Sequence, residues 1–319
     1  MAPLSTASGL GTSTAEIAAT GVTVFEPDVE ILLGLVNSAR AAGSHIYLFA
    51  NSPLERAVLN FTEAADDCTV LGNSTNVGQG AALNAIMARA ARDGHANVLM
   101  FDQDTAPDAS LWGVLGHRLK RLMSREAQIA AVAPRLVPPS RSSYLPMRYQ
   151  FEDAKNVAEP DKAAAFVPTS GSLITVAAWH AVGPFRADYF IDGIDVDWGY
   201  RARDAGWVSV LAMDIELTHR WGNEQNGERV GAKSSIADAI TARSQAARLS
   251  PDRLYYYIRN KLDVDRQHTR GTHSRARTKL RLWLQIIGVW AARYGEPAYA
   301  EAIKQARRDA RDRRFGRRS

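Results

Sequence analysis

The sequence predicts an α/β protein: a mostly parallel central sheet flanked by helices, followed by a helical, basic C-terminal extension. Three observations carry that prediction. Short apolar runs, "HIYLFA", "CTVL" and "NVLMF", are bounded by Gly, Asn or Asp and are too brief for buried helices. Between them lie segments with helical periodicity, so the order reads β-α-β-β-α-β, which favours parallel strands covered on both faces. From Ser250 onward the pattern is helical and rich in Arg.

The elements follow in order. Residues 1–20 are small and polar, without the basic start or apolar core of a signal peptide, and read as a disordered lead-in. Residues 28–42 place Val29, Leu32, Val36 and Ala39 on one helical face and stop at Gly43. "NVGQGAALNAIMARAARDG" is a Gly-flanked turn entering a helix that ends at Gly94. "NVLMF" is the next strand, and "ASLWGVLGHRLKRLMSR" the next helix, with Asp108 as its capping candidate. The strand "IAAVAP" precedes residues 138–162, whose Pro, Ser and charge suggest a flexible loop. "AAAFVPTSGSLITVAAWHAVGPF" then reads as strand, small-residue turn, strand and short helix, and a further helix runs from Ile194 to Gly206. Residues 21–249 are expected to form the main domain. Residues 250–319 form the helical C-terminal region, with Ser250 as N-cap and Pro251 in the first turn.

Composition narrows the function classes. The 319 residues are 46% hydrophobic, enough for a large core. A single cysteine, Cys68, excludes an intramolecular disulfide or a Cys-based metal site, and a reducing cytoplasm fits best. "LRLWLQIIGVWAARY", residues 280–294, is interrupted by Arg281, Gln285 and Arg293 and is too short to span a bilayer. The net charge is +5, and the last thirteen residues, with seven Arg and two Asp, account for all of it. That tail suits an anionic partner, an acidic lipid surface or a polyanion, or else is a frayed end. The basic segment before it either lies on the inner face of the cytoplasmic membrane or packs back with Trp283 and Trp290 in the interface. With the rest of the chain near neutral and no recognition-helix or aromatic-platform motif, nucleic-acid binding is not expected. An oligomer is compatible with the sequence.

Two acidic clusters carry the chemistry. In "LMFDQDTAPD", Asp102 and Asp104 follow a strand and, if extended, project to the same side. Two carboxylates about 4 Å apart repel by about 4 kcal/mol at an effective dielectric near 20, which favours a cation between them. Mg²⁺ or Mn²⁺ prefers such oxygen ligands, although spacing alone leaves a helix cap open for one of the pair. The position matters, because ligands of open α/β sheets sit beyond the carboxyl ends of strands. In "FIDGIDVDWGYRARDAG", Asp192, Asp195 and Asp197 lie among Phe190, Ile191, Ile194 and Trp198. Asp195 and Asp197 could simply complement a helix N-terminus, or serve in a partly apolar cleft where a general base would be useful. His219, after "VLAMDIEL", matters only if it shares a site with Asp104.

The ordered set "TVFEPDVEILLGLVNSA", "NSTNVGQGAALNAIMARA", "VLMFDQDTAPD", "TSGSLITVAAWHAVGPF", "YFIDGIDVDWGYRARDAGW", "THRWGN" and "SPDRLYYYIRNKL" resembles the family 2 glycosyltransferases of the GT-A fold, particularly the rhamnosyltransferase-like and galactofuranosyltransferase-like groups. The resemblance implies a nucleotide diphospho-sugar donor, Mg²⁺ or Mn²⁺, and inversion at the transferred sugar. It makes Asp104 and His219 metal ligands, with Asp102 nearby or bridging and close to the donor together with Gln103. It makes Asp195 the catalytic base, with Asp197 one step on. Asn76 and Gly78 match the turn near the nucleotide, and Ser170 and Gly171 the turn facing the donor sugar. Asp192, Trp198 and Arg201 belong to the same substrate-binding surface. Relatives carry Thr-Tyr-Asn and Asp-Asn-Gly-Ser where this chain has Val24-Phe25-Glu26 and Ala50-Asn51-Ser52, so Glu26 and Asn51 are expected to meet base and ribose.

The implied donor is dTDP-rhamnose, with UDP-galactofuranose as the alternative. The implied acceptor is a cell-surface glycan or lipid-linked oligosaccharide. Two other classes share part of this pattern. A sugar nucleotidyltransferase would carry a Gly-rich basic loop after the first strand, which "VFEPDVE" lacks. A non-catalytic polyanion- or membrane-binding protein would act through the Arg-rich tail alone.

Overall fold

In the computed structural model, residues 19–125, 127–137, 149–219, 246–269, 272–293 and 295–318 are described. They build an eight-stranded sheet in the order β3-β2-β1-β4-β7-β5-β8-β6. The strands are β1 (Ala19–Val24), β2 (Ile46–Ala50), β3 (Cys68–Leu71), β4 (Asn97–Asp102), β5 (Ile129–Val137), β6 (Asp161–Ala164), β7 (Ser172–Thr175) and β8 (Val208–Thr218). β1 pairs in parallel with β2 and β4, β2 with β3, and β5 with β8. β7 is antiparallel to β4 and β5, and β6 to β8. The helices are α1 (Val29–Ala41), α2 (Arg56–Glu63), α3 (Gln79–Arg92), α4 (Ser110–Met123), α5 (Val176–Val182), α6 (Ile194–Asp204), α7 (Pro251–His268), α8 (Thr272–Ala292) and α9 (Pro297–Asp312).

The alternation along each buried strand divides the core in two. On β4, Leu99 and Phe101 face a layer formed by α1, α2 and α4, where Leu32, Val36, Val58, Trp112, Leu115 and Leu119 are buried. Val98 and Met100 face the opposite layer, built by Leu83, Ile86 and Met87 of α3 with Ile194 and Trp198 of α6. Every inward position of β4 is thus apolar until the strand ends at Asp102, where the chain leaves the core. Asp28 caps α1 by accepting from the N–H groups of Glu30 and Ile31. Asp108 accepts from Ser110 N at 2.9 Å at the start of α4.

Four expectations are revised. α2 was not anticipated: it is short, and only Val58 and Thr62 are buried on it. The lead-in is shorter than 1–20, because Ala19 and Thr20 already pair in β1; residues 1–18 lie outside the described residues. Within the expected loop 138–162, residues 138–148 also lie outside them, but Asp161 and Lys162 belong to β6. Asp161 is buried there because Arg118 and Arg121 of α4 neutralise it, a pairing that local composition does not reveal.

The fourth concerns the C-terminus. α7 and α9 pack together over Leu254, Ile258, Ala302, Ile303 and Ala306, and the basic tail is docked. Gly316 N donates to Asp188 O at 2.7 Å, Arg318 N to Tyr256 Oη at 2.7 Å, and Phe315 lies against Tyr189 with ring centroids 5.7 Å apart. α8 also packs back, but through Leu282, Ile286 and Val289, while Trp283 and Trp290 face outward. Among the described residues no helix is long and apolar enough to cross a membrane.

Candidate active site

The site forms where the chain leaving β4 meets the chain leaving β8. After Phe101 the chain turns through Asp102, Gln103 and Asp104, and Thr105 N closes the turn on Asp102 O at 3.2 Å. Thr105 then forms an isolated antiparallel bridge with His219, immediately past β8. This bridge, and not proximity in sequence, brings the imidazole to the acidic turn. Thr105 is fully buried, and its hydroxyl meets Ser170 Oγ at 2.7 Å and His219 Nδ1 at 3.1 Å. Ser170 Oγ also accepts from Asp102 N at 3.1 Å. Gly171 allows this approach: its φ is +81°, and a Cβ there would fall 2.5 Å from Leu217 Cδ2.

Asp102, Asp104 and His219 each offer one ligand atom, and these atoms lie within 4.8 Å of one another. Asp104 Oδ1 is buried and receives no hydrogen bond. Burial, with Asp102 beside it, pushes the Asp104 carboxyl up to about 6. An orphaned carboxylate oxygen beside a second carboxylate and an imidazole is a donor set that fits Mn²⁺ or Mg²⁺. Asp102 Oδ1 additionally accepts from Gln79 Nε2 at 3.1 Å.

The second acidic cluster is organised by α7. The loop before α6 carries Phe190 at φ 67° and Asp192 at φ 63°, a left-handed conformation uncommon for such residues. Asn260 Nδ2 donates to the carbonyls of Tyr189, Ile191 and Asp192 at 3.0, 2.8 and 2.8 Å. The buried Arg259 donates to Tyr189 O at 2.9 Å and to Gly316 O at 2.8 Å, tying the loop to the docked tail. Gln79 N donates to Phe190 O at 2.6 Å, and a Cβ on Gly78 would sit 2.7 Å from that same oxygen. The loop therefore rests directly on the Gly78 turn at the head of α3. Asp192 pairs with Arg253, whose Nε and Nη2 are each 3.3 Å from a carboxylate oxygen. Asp195, in the first turn of α6, is pushed up to about 6 by burial, with the charges of Asp192 and Asp102 adding to it.

The remaining expected residues divide by location. Asp197 does not face Asp195, because helix positions two apart point to different sides. It is fully buried, with Arg201 Nε 2.8 Å from Oδ2 and His268 Nε2 3.2 Å from Oδ1. Those partners outweigh burial and hold its carboxyl below the usual range. Its expected catalytic role is revised to a packing one. Trp198 is likewise buried, donating to Gly183 O at 3.1 Å, and Arg201 also holds the carbonyls of Val182 and Pro184, so both are engaged in the packing of α6 against the loop after α5. Gln103 is spent on structure: Oε1 accepts from Phe25 N at 2.6 Å and Nε2 donates to Phe25 O at 2.8 Å, stapling the ends of β1 and β4. Asn51 accepts from Val77 N at 3.0 Å and Asn76 from Gly78 N at 3.0 Å, so both shape the loop leading into α3. Glu26 is exposed at the end of β1, at φ 47°, with its N–H on Ser52 Oγ at 2.8 Å.

Sequence reasoning missed Thr105, Gln79, Arg253, Arg259 and Asn260. The last three sit in "SPDRLYYYIRNKL", where polar residues flank the apolar run Leu254–Ile258, the one local signal the sequence offered.

A sheet of this order, with an Asp-x-Asp turn after β4 and a His bridged to it from the end of β8, defines a GT-A-like α/β protein. The chain belongs to glycosyltransferase-like family 2, whose family model matches residues 29–262. Among solved structures it is similar to S. aureus TarS 1-349 in complex with UDP-GlcNAc, at 10% identity and a TM-score of 0.50, over 93% of this chain and 92% of that one. It also aligns with GalNAc-T7 bound to UDP, GalNAc and Mn²⁺, at 12% identity and a TM-score of 0.49, over 92% of this chain and 55% of that one. At these identities the likeness to TarS concerns the fold. No curated protein matches the chain.

Proposed function

We propose that this protein is an inverting, metal-dependent glycosyltransferase that moves rhamnose from dTDP-rhamnose to a hydroxyl of a cell-surface glycan or lipid-linked oligosaccharide. Family membership supports sugar transfer. The observation that carries the metal-dependent reading is the buried Asp104 Oδ1, which receives no hydrogen bond, grouped with Asp102 and His219. Asp104 and His219, with Asp102, would hold Mg²⁺ or Mn²⁺, which when bound supplies Lewis-acid stabilisation of the leaving diphosphate.

The chain's own residues do the rest. Asp195 accepts the proton of the acceptor hydroxyl as that oxygen bonds to the anomeric carbon. The bond from that carbon to the diphosphate oxygen breaks on the opposite face, and the nucleoside diphosphate leaves with the electron pair. Arg253, whose guanidinium feels Asp192, Asp102 and Asp104, is suited to share the negative charge of the diphosphate. Asn260 and Arg259 keep Asp192 and Asp195 in place while this happens.

The test is a screen for metal-dependent donor hydrolysis or binding across dTDP-rhamnose, UDP-galactofuranose and UDP-GlcNAc, with Asp104→Ala as control. Turnover of dTDP-rhamnose that needs added Mn²⁺ or Mg²⁺ and is lost in the variant is expected. Turnover of UDP-galactofuranose alone would replace the donor, and metal-independent turnover would remove the role given to Asp104.

A further inference from the structure

α8 has two apolar faces, and only one of them is used by the fold. Leu282, Ile286 and Val289 point inward and join the cluster that contains Tyr256, Ile258 and Ile303. Leu280, Trp283, Leu284, Ile287 and Trp290 point outward and are 45–60% exposed. Their spacing places them on one stripe, a contiguous surface of the kind that marks an interaction site. Among the described residues the other exposed large hydrophobics lie singly or, as Val114 and Met123 on α4, nine residues apart.

The charge around the stripe selects its partner. α8 contains no Asp or Glu, whereas Arg275, Arg277, Lys279 and Arg281 are all exposed along its first half. At about 3.6 residues per turn, Arg277 and Arg281 flank the stripe on one side and Lys279 on the other. Arg307 of α9 adds a further cation, 5.0 Å from the Trp283 ring centroid. Two Trp side chains and three aliphatics, bordered by cations without acidic counter-charges, are complementary to an anionic lipid surface.

We propose that the outward face of α8 docks the protein onto an anionic bilayer, lying in the headgroup region. The basic tail is not the anchor, because Phe315, Gly316 and Arg318 are engaged with the body of the protein. The inward face of α8 shares its cluster with Phe190 and Ile191, the residues that lead to Asp192. The presentation of a lipid-linked acceptor rests on the transfer reaction proposed above; the docking itself does not, and its test reads binding alone.

The experiment is co-sedimentation of the full-length protein with phosphatidylcholine vesicles, with and without phosphatidylglycerol, together with tryptophan emission. Binding to the anionic vesicles only, with a blue shift, is expected. Trp283→Ser with Trp290→Ser, and separately Arg277→Gln, Lys279→Gln and Arg281→Gln combined, should each weaken partitioning by about tenfold or more. Arg313→Gln with Arg317→Gln in the tail should leave it unchanged. These are exposed positions, and a thermal melt checks that each variant is folded. The proposal is overturned if wild-type protein ignores anionic vesicles, if both α8 variants bind like wild type, or if the tail variant loses binding instead. A concentration-dependent dimer that the Trp variant abolishes, without vesicle binding, would assign the face to a second copy and equally overturn it.

Discussion

Asp104 and His219 meet across two strand ends: Asp104 Oδ1 lies 3.9 Å from His219 Nδ1, and the Thr105 hydroxyl reaches the same ring nitrogen at 3.1 Å. The bridge between Thr105 and His219 joins the two strand ends, and Ser170, in the loop before β7, braces the Thr105 hydroxyl and Asp102 N.

Asp104→Ala removes the carboxylate whose buried Oδ1 receives no hydrogen bond. The expected result is loss of Mn²⁺ binding by calorimetry and a fall in kcat of more than about 100-fold, exceeding that for an outer-shell partner. Chelation of wild-type protein should lower its Tm, because a ligand bound only to the folded state stabilises it. A variant that binds Mn²⁺ as wild type does would move the metal site elsewhere.

Thr105→Val keeps shape and burial but deletes the hydroxyl that orients His219 and Ser170. Metal affinity is expected to drop about 10- to 100-fold with the fold retained. Unchanged affinity would show that the bridge backbone alone positions the imidazole.

Asp195 sets a pH dependence with two opposite signs. As a base it must be deprotonated, so kcat should rise through about pH 6, the value to which burial pushes its carboxyl, and then level off. For stability, the native carboxyl binds its proton more tightly than the unfolded chain does, where ~3.9 is ordinary. Its contribution is therefore full below about pH 4 and lost as the pH rises through about 6. Asp195→Asn should raise Tm near neutral pH, where the charge is no longer buried, and lower kcat by about 10²- to 10⁴-fold. An unaltered acid limb in that variant would assign the ionisation to another group.

Asp197→Ala should behave in the reverse way. Removing one partner of a buried charge network costs about 3–5 kcal/mol, and Arg201 and His268 both lose their shared carboxylate. A large loss of Tm is expected, with activity falling in step with the folded fraction. A variant that is stable but inactive would restore Asp197 to the chemistry.

Arg259→Ala should loosen both ends of the clamp, the carbonyl of Tyr189 and that of Gly316. A Tm several degrees lower is expected, since buried hydrogen-bond acceptors are left unsatisfied. Proteolysis of residues 314–319 should become faster than in wild type. A tail that stays protected in the variant would mean that Phe315 and Arg318 hold it unaided.

The local pattern alone determined the layered α/β frame and the position of the acidic turn. Both depend on periodicity: "NVLMF" alternates between two cores, and the polar residues begin where the strand leaves them. The same logic located α1, α3, α4 and α6, because each buries a regularly spaced face. Composition could not decide the state of the C-terminal Arg run, since a solvated tail and a docked one have the same charge. Contacts distant in sequence tie it down: Gly316 with Asp188 and Arg259, Phe315 with Tyr189, and Arg318 with Tyr256. Nor could spacing separate Asp195 from Asp197, two carboxylates in one helical turn. Tertiary structure decided between them, because helical rotation carries Asp197 onto His268 and Arg201 and leaves Asp195 on the side of Asp192 and Asp102. The side-chain roles that the sequence left open all depend on partners distant along the chain, and such partners meet only when the sheet aligns its strand ends.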